Sequence, residues 1–154
     1  MSDVHEQAID LGPAEGWALL REAVVGRLGV VVHGAPEIFP VNYVVDHGSI
    51  VFRTAEGTKL AGALGEHVAF EVDGYDAVSG EAWSVVVKGI AEEIRDLDEV
   101  LDALSLPLHP WHAANKPRFI RITPEVLTGR RFHVAENASV PRPDAGFDGV
   151  ELSE

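Results

Sequence analysis

At 154 residues, nearly half of them apolar, the chain is the right size for one domain with a real core, and it is not a disordered chain. Its 25 acidic against 12 basic residues, net −13 with histidines neutral, would repel a phosphate backbone, so nucleic acid is not an expected partner. The absence of cysteine excludes disulfides, thiolate metal sites and a cysteine nucleophile.

The N-terminal "MSDVHEQAIDLGP" carries two early acids and no apolar run of signal-peptide length, and no later segment approaches eighteen uninterrupted apolar residues. A cytoplasmic, soluble protein with no membrane partner is the expectation. "GPAEGWALLREAV" predicts a short helix with Pro13 at its first position and Trp17, Leu20 and Val24 on one face. From Arg27 the pattern turns to β. "RLGVVVHG", "APEIFPVNYVVD" and "SIVFRT" predict a three-stranded meander, with "DHG" as the tight turn before Ser49.

"GTKLAGALG" predicts a short helix ended by Gly65, "EHVAFEVDGYD" a fourth strand and "EAWSVVVKGIAEEIRD" a long fifth one. A second helix is predicted behind Asp96 and Glu99, which form a capping box ahead of Val100, Leu101 and Leu104. "SLPLHPWHAANKP" reads as a proline-punctuated loop and "RFIRITPEVLTGRRFHV" as the last one or two strands. One domain is expected over residues 1–135, followed by an acidic tail over residues 136–154. Antiparallel strands with so few helices point to a mostly β small barrel, because parallel strands would need a helical crossover after nearly every one.

The junction "IVFRTAEGTKL" is the candidate binding site. A helix start presents unpaired backbone N–H groups and a partial positive charge. Thr58 and Lys59 add a hydroxyl and an ammonium, Arg53 and Thr54 come from the strand end, and Gly57 allows close approach of the backbone. Such a set suits a phosphate; an ordinary solvated turn is the competing reading.

The order of these segments, "GRLGVVVHGAPEIFPVNYVVDHGSIVFRTAEGTKL", then "WSVVVKGIAEEI", then "RFIRITPEVLTGRRF", resembles the pyridoxamine 5′-phosphate oxidase-like family of flavin-binding split β-barrels, nearest its short, nitroimidazole-reductase-like bacterial branch. The resemblance spans roughly residues 14–134. It implies a six-stranded antiparallel split barrel, a homodimer, and one FMN in each of two clefts between subunits. It also implies that the strand carrying Pro40, Val41, Asn42 and Tyr43 lies along the flavin ring and that Arg53, Thr54, Thr58 and Lys59 hold the ribityl phosphate. A partner strand carrying Trp83, Ser84 and Val85 would close the site, and Trp111 is a further candidate for contact with the partner's flavin.

On the residues alone, alternation sets Asn42 opposite Val41 and Tyr43, giving one face polar enough for hydrogen bonds to a flavin edge, with capping of a bulge as the alternative for Asn42. Trp83 in a valine-rich strand is core more often than ligand. His109 and His112 of "HPWH" make a poor metal pair, since Pro110 argues against a helix presenting both, and no metal is expected. No nucleophile elbow, paired acid motif or HExxH supports a hydrolase, and no catalytic acid or base is named. The expected function is an FMN-dependent oxidoreductase acting on a small molecule. Its rivals are an F420-dependent reductase, which the acidic balance disfavours, and a non-enzymatic flavin-binding or sensing protein. The basic set that would hold a pyridoxal phosphate substrate is not found.

Overall fold

A computed structural model describes residues 8–55, 58–108 and 118–134. The elements run β1 (Ile9–Leu11), α1 (Pro13–Glu22), β2 (Val25–Val32), β3 (Ala35–Asp46), β4 (Ser49–Thr54), a 3-10 helix (Lys59–Ala63), β5 (His67–Tyr75), β6 (Glu81–Glu93), α2 (Leu97–Leu104) and β7 (Arg118–His133). The segment 109–117, with Trp111 and both histidines of "HPWH", and the expected tail from 136 lie outside the described residues. Among those described, no helix is long and apolar enough to cross a membrane.

The predicted meander β2-β3-β4 is present, and its turns follow from local chemistry. His33 and Gly34, then His47 and Gly48, all have positive φ, the pairing that two-residue hairpin turns require. The sheet order is β1-β7-β4-β3-β2-β5-β6, and a further β6–β7 pairing joins the two ends. Six strands therefore close a ring, as the resemblance implied. The seventh, β1, pairs only with the late part of β7, and three residues are too few to carry a periodicity. The final segment is one strand, long enough to pair with β4 at its start and β1 near its end while running along β6 throughout.

Alternation sorts the side chains. Leu28, Val30, Tyr43, Ile50, Phe52, Phe70, Val72, Val85, Val87, Ile120 and Ile122 fill the barrel, and Leu20 of α1 plugs one part of it. The Tyr43 hydroxyl donates to the Leu20 carbonyl at 2.5 Å, and burial pushes its pKa up to about 12. α1 ends before Val24, which is exposed and not part of the helix's buried stripe. A second, smaller core lies outside the barrel wall, where Val51 and Phe119 are covered by Ile94, Ala103 and Leu108. α2 is capped by Asp96, whose carboxylate accepts from the N–H groups of Asp98 and Glu99. Val100 and Ala103 face that core, while Leu101 and Leu104 are exposed.

β7 carries a bulge opposite the Lys88/Gly89 step, where the register passes from Val126 to Pro124 and leaves Glu125 unpaired. A Cβ on Gly89 would stand 2.0 Å from the Thr123 carbonyl oxygen, a backbone atom that cannot turn aside. Gly89→Ala is expected to cost about 1–3 kcal/mol through overpacking, whereas Gly29→Ala, whose new methyl meets nothing nearer than 3.7 Å, should be neutral or slightly stabilising. Thermal unfolding of the two variants checks this contrast.

Candidate functional site

The β4 junction is where strand parity decides what each residue can reach. Arg53 leaves the outer face of β4, and its guanidinium carbon lies 4.8 Å from the centre of the Phe119 ring. Thr54 turns the other way and is buried. Its Oγ1 is 3.3 Å from Oγ1 of Thr58, and both hydroxyls lie within hydrogen-bond distance of the Ala55 carbonyl. Each hydroxyl has one proton, so these contacts compete, and the pair fixes the bend that carries the exposed Thr58 to the start of the 3-10 helix. The helix that the sequence predicted is this five-residue 3-10 turn, too short for a sizeable dipole; donors near its start act as individual N–H groups.

β3 divides in the same way. Val41 and Tyr43 face the barrel interior, Pro40 and Asn42 the outside. The β3–β4 ladder ends at Tyr43↔Phe52, and the next residue on each strand, Asn42 and Arg53, has outward parity. Tyr43 and Val85 are fully engaged in the core, so only their backbones could meet a ligand. Trp83 packs partly against the core, and Ser84 faces outward on β6. From Asn42 on β3 to Ser84 on β6 the sheet crosses β2 and β5, on the order of 14 Å at the usual strand spacing, and the other way round only β7 intervenes, with Arg53 opposite Phe119 at its start and Trp83 opposite Arg131 near its end. One chain does not bring the two halves of the expected site together.

Two features escaped the sequence reading. Arg118, 64 positions from Thr54, is its direct cross-strand neighbour, held near Glu93 at 3.6 Å. On the outer face of β2 and β5, Arg27 Nη1 contacts Asp73 at 3.1 Å and Glu71 at 3.6 Å. Glu71 Oε1 is buried and accepts no hydrogen bond. Burial, then the neighbouring Asp73 carboxylate, pushes the Glu71 pKa up to about 7, against the opposing pull of Arg27. The spacing Glu71-Val72-Asp73 was visible in the sequence; the pairing of β5 with β2 was not. No cluster of three or more metal-ligating side chains occurs among the described residues.

A closed antiparallel barrel of six strands, with its polar side chains on the outer wall and at the strand ends, defines the class of protein. The profile of the family described as pyridoxamine 5′-phosphate oxidase matches residues 13–131, and the chain belongs to that family. It is similar to the uncharacterized protein Rv0080 of Mycobacterium tuberculosis, 34% identical over 131 residues, which covers 81% of this chain and 86% of that one. Among solved structures it resembles an FAD binding protein from Mycobacterium smegmatis, with TM-score 0.75 and 39% identity over 82% of this chain and 100% of that one. An FAD-binding protein from Mesorhizobium loti is also similar, with TM-score 0.65 and 27% identity over 81% of this chain and 96% of that one.

The acid pair gives a pH test. Between its ordinary value of 4.5 and about 7, Glu71 keeps a proton in the folded chain that the unfolded chain has released, so it withdraws stability as pH rises through that window. Glu71→Gln abolishes this titration. The variant is expected to melt above the parent at pH 8 and close to it at pH 4.5; an equal difference at both pH values contradicts the assignment.

Proposed function

We propose that this protein is a homodimeric flavin-dependent oxidoreductase of a small molecule, with FMN as the cofactor. The observation that carries the reading is the outward face where the β3–β4 ladder ends at Tyr43↔Phe52, with Asn42 and Arg53 the next residues of the two strands and the Thr58–Lys59 turn following. That face offers a polar side chain for a ring edge and cationic and N–H donors for a phosphate. The donor chemistry fits a flavin nucleotide: one guanidinium, one exposed hydroxyl and the first N–H groups of a helical turn. Thr54 supports Thr58 from beneath. The two similar solved structures described above are of FAD-binding proteins, which supports a flavin cofactor.

A bound flavin supplies the electron transfer. Arg53, Thr58 and Lys59 bind the phosphate, Pro40 and Asn42 orient the ring, and the backbones of Val41 and Tyr43 keep that strand rigid against the core. Trp83, Ser84 and Val85 of the partner subunit close the cleft and exclude water, with Trp111 a further candidate contact. No protein side chain needs to act as acid or base in holding the cofactor.

FAD is a second reading, favoured by the same two relatives. FMN and FAD share the phosphate next to the ribityl chain, so the residues above serve either. The mass of the flavin released by denaturation decides between them.

Arg53→Ala and Lys59→Ala are each expected to weaken FMN binding by roughly ten- to a hundredfold, the worth of one hydrogen bond to a charged group. Riboflavin, which lacks the phosphate, should bind both variants as it binds the parent. Wild-type FMN affinity in both variants removes the junction from the site.

The second subunit is expected to pack on the outer face of β2, β3, β5 and β6. There Ile38 (71% exposed) and Val31 (61%) flank a floor of Gly29 and Ala69 in a shallow cavity of about 420 Å³. Ile38→Asp should shift sedimentation from dimer to monomer and release the flavin with it. A parent chain that sediments as a monomer at micromolar concentration with flavin bound defeats this arrangement.

A further inference from the structure

A second cavity, of about 590 Å³, opens where the ends of β5, β6 and β7 meet on the outer wall. Its apolar side is built from rings. Tyr75 is 59% exposed and Phe132 39% exposed, and both stand on the outer face beside Ala82. Trp83 belongs to the lining as well, but its indole packs on the core side, over its cross-strand neighbour Gly74, where a Cβ would meet it at 2.6 Å. The opposite end of the cavity is formed by Glu71 and Asp73. Among the described residues, no basic side chain lines the cavity, and Arg27 is engaged with the two carboxylates from its far side.

We infer that this cavity binds a flat aromatic compound carrying a cationic, hydrogen-bond-donating group, with the ring against Tyr75 and Phe132 and the cation at Glu71 and Asp73. Aromatic walls supply area and, for a delocalised cation, attraction to the ring faces, while the carboxylates supply direction. A phosphate-bearing ligand is disfavoured, because its charge would meet two acids. The cavity shares Trp83 and Ser84 with the proposed flavin contact. The inference therefore names the substrate class of that site and rests on the flavin reading.

Charge sets the pH behaviour. Glu71 is faced by Asp73 on its own strand and by Arg27 from β2, with the uncharged Val86 and Ser84 opposite on β6. Arg130, across from Ser84 on β7, is the nearest further charge in register. Of these, Glu71 changes charge near neutrality, so ionising it adds attraction for a cation as pH rises.

Three probes of one shape separate charge from fit: benzamidine as cation, benzamide as neutral amide and benzoate as anion. Titrated into the purified full chain and followed by calorimetry, benzamidine is expected to bind about tenfold more tightly at pH 8 than at pH 6, and benzoate more weakly than either. Benzamide affinity should not change with pH. Glu71→Gln should abolish the pH gain, and Tyr75→Ala should weaken benzamidine and benzamide alike. If Tyr75→Ala does not fold, Phe132→Ala on the same exposed wall takes its place. Benzamidine binding no tighter than benzamide at pH 8, or a pH gain that persists in Glu71→Gln, overturns the inference. Flavin content is read from the same samples by absorbance. Loss of discrimination with flavin bound sinks only the substrate class, whereas a flavin-free chain that keeps the pH gain sinks only the flavin reading.

Discussion

The pairing of β6 with β7 closes the barrel, and the remaining structure depends on that closure. It runs from Glu81↔His133 to Glu93↔Ile120 and turns an open sheet into a ring without interior edges. A thirteen-residue strand against a sixteen-residue one cannot stay straight and also bend around a ring. The bulge at Glu125 accommodates the bend, and Gly89 allows the backbone of Thr123 to approach where it occurs. The same strand β7 pairs with β4 on its other side, which sets Phe119 against Arg53 and Arg118 beside Thr54.

Closure also gives every strand an inside and an outside, and chemistry follows that division. Among the described residues the interior is apolar apart from the Tyr43 hydroxyl, which is satisfied by a helix carbonyl, and the Thr54 hydroxyl at the end of β4, which lies 3.3 Å from that of Thr58. The groups able to recognise a ligand are therefore outside or at strand ends. Asn42, Arg53, Ser84 and the Arg27–Glu71–Asp73 cluster all lie on the wall, and so do the apolar side chains Val31 and Ile38. The barrel interior is filled by the side chains of its core. In the proposed reading the wall does the binding, and a surface that is partly apolar and partly charged suits both a second subunit and a cofactor.

The charge distribution supports that view. With a net charge of −13, cations are scarce, and several of them are already held by acids: Arg27 by Asp73, Arg95 by Glu93, Arg121 by Asp46 and Arg131 by Glu15. At the junction Arg53 lies over the Phe119 ring, and Arg118, beside Thr54 on the other face, is held near Glu93. A small anion, as in the proposed reading, asks for fewer cations than a polyanion would.

Periodicity and turn chemistry were enough to determine most of the elements. The alternation of "APEIFPVNYVVD", the His-Gly turn, Pro13 at a helix start and Asp96 as a cap are local signals, written within a few residues of the structure they specify. The order of segments carried the family. The sequence also presented Arg53, Thr54, Thr58 and Lys59 as one group, because they are adjacent in the chain. Tertiary structure decided otherwise for Thr54, since strand parity buries its hydroxyl while turning Arg53 outward. It also decided which residues became neighbours: Arg118 with Thr54, and Arg27 with Glu71, each pair joined by register between strands far apart in the chain. Such registers depend on how the ring closes, and the closing pair β6–β7 is set by packing around the whole barrel, which no short stretch of sequence contains.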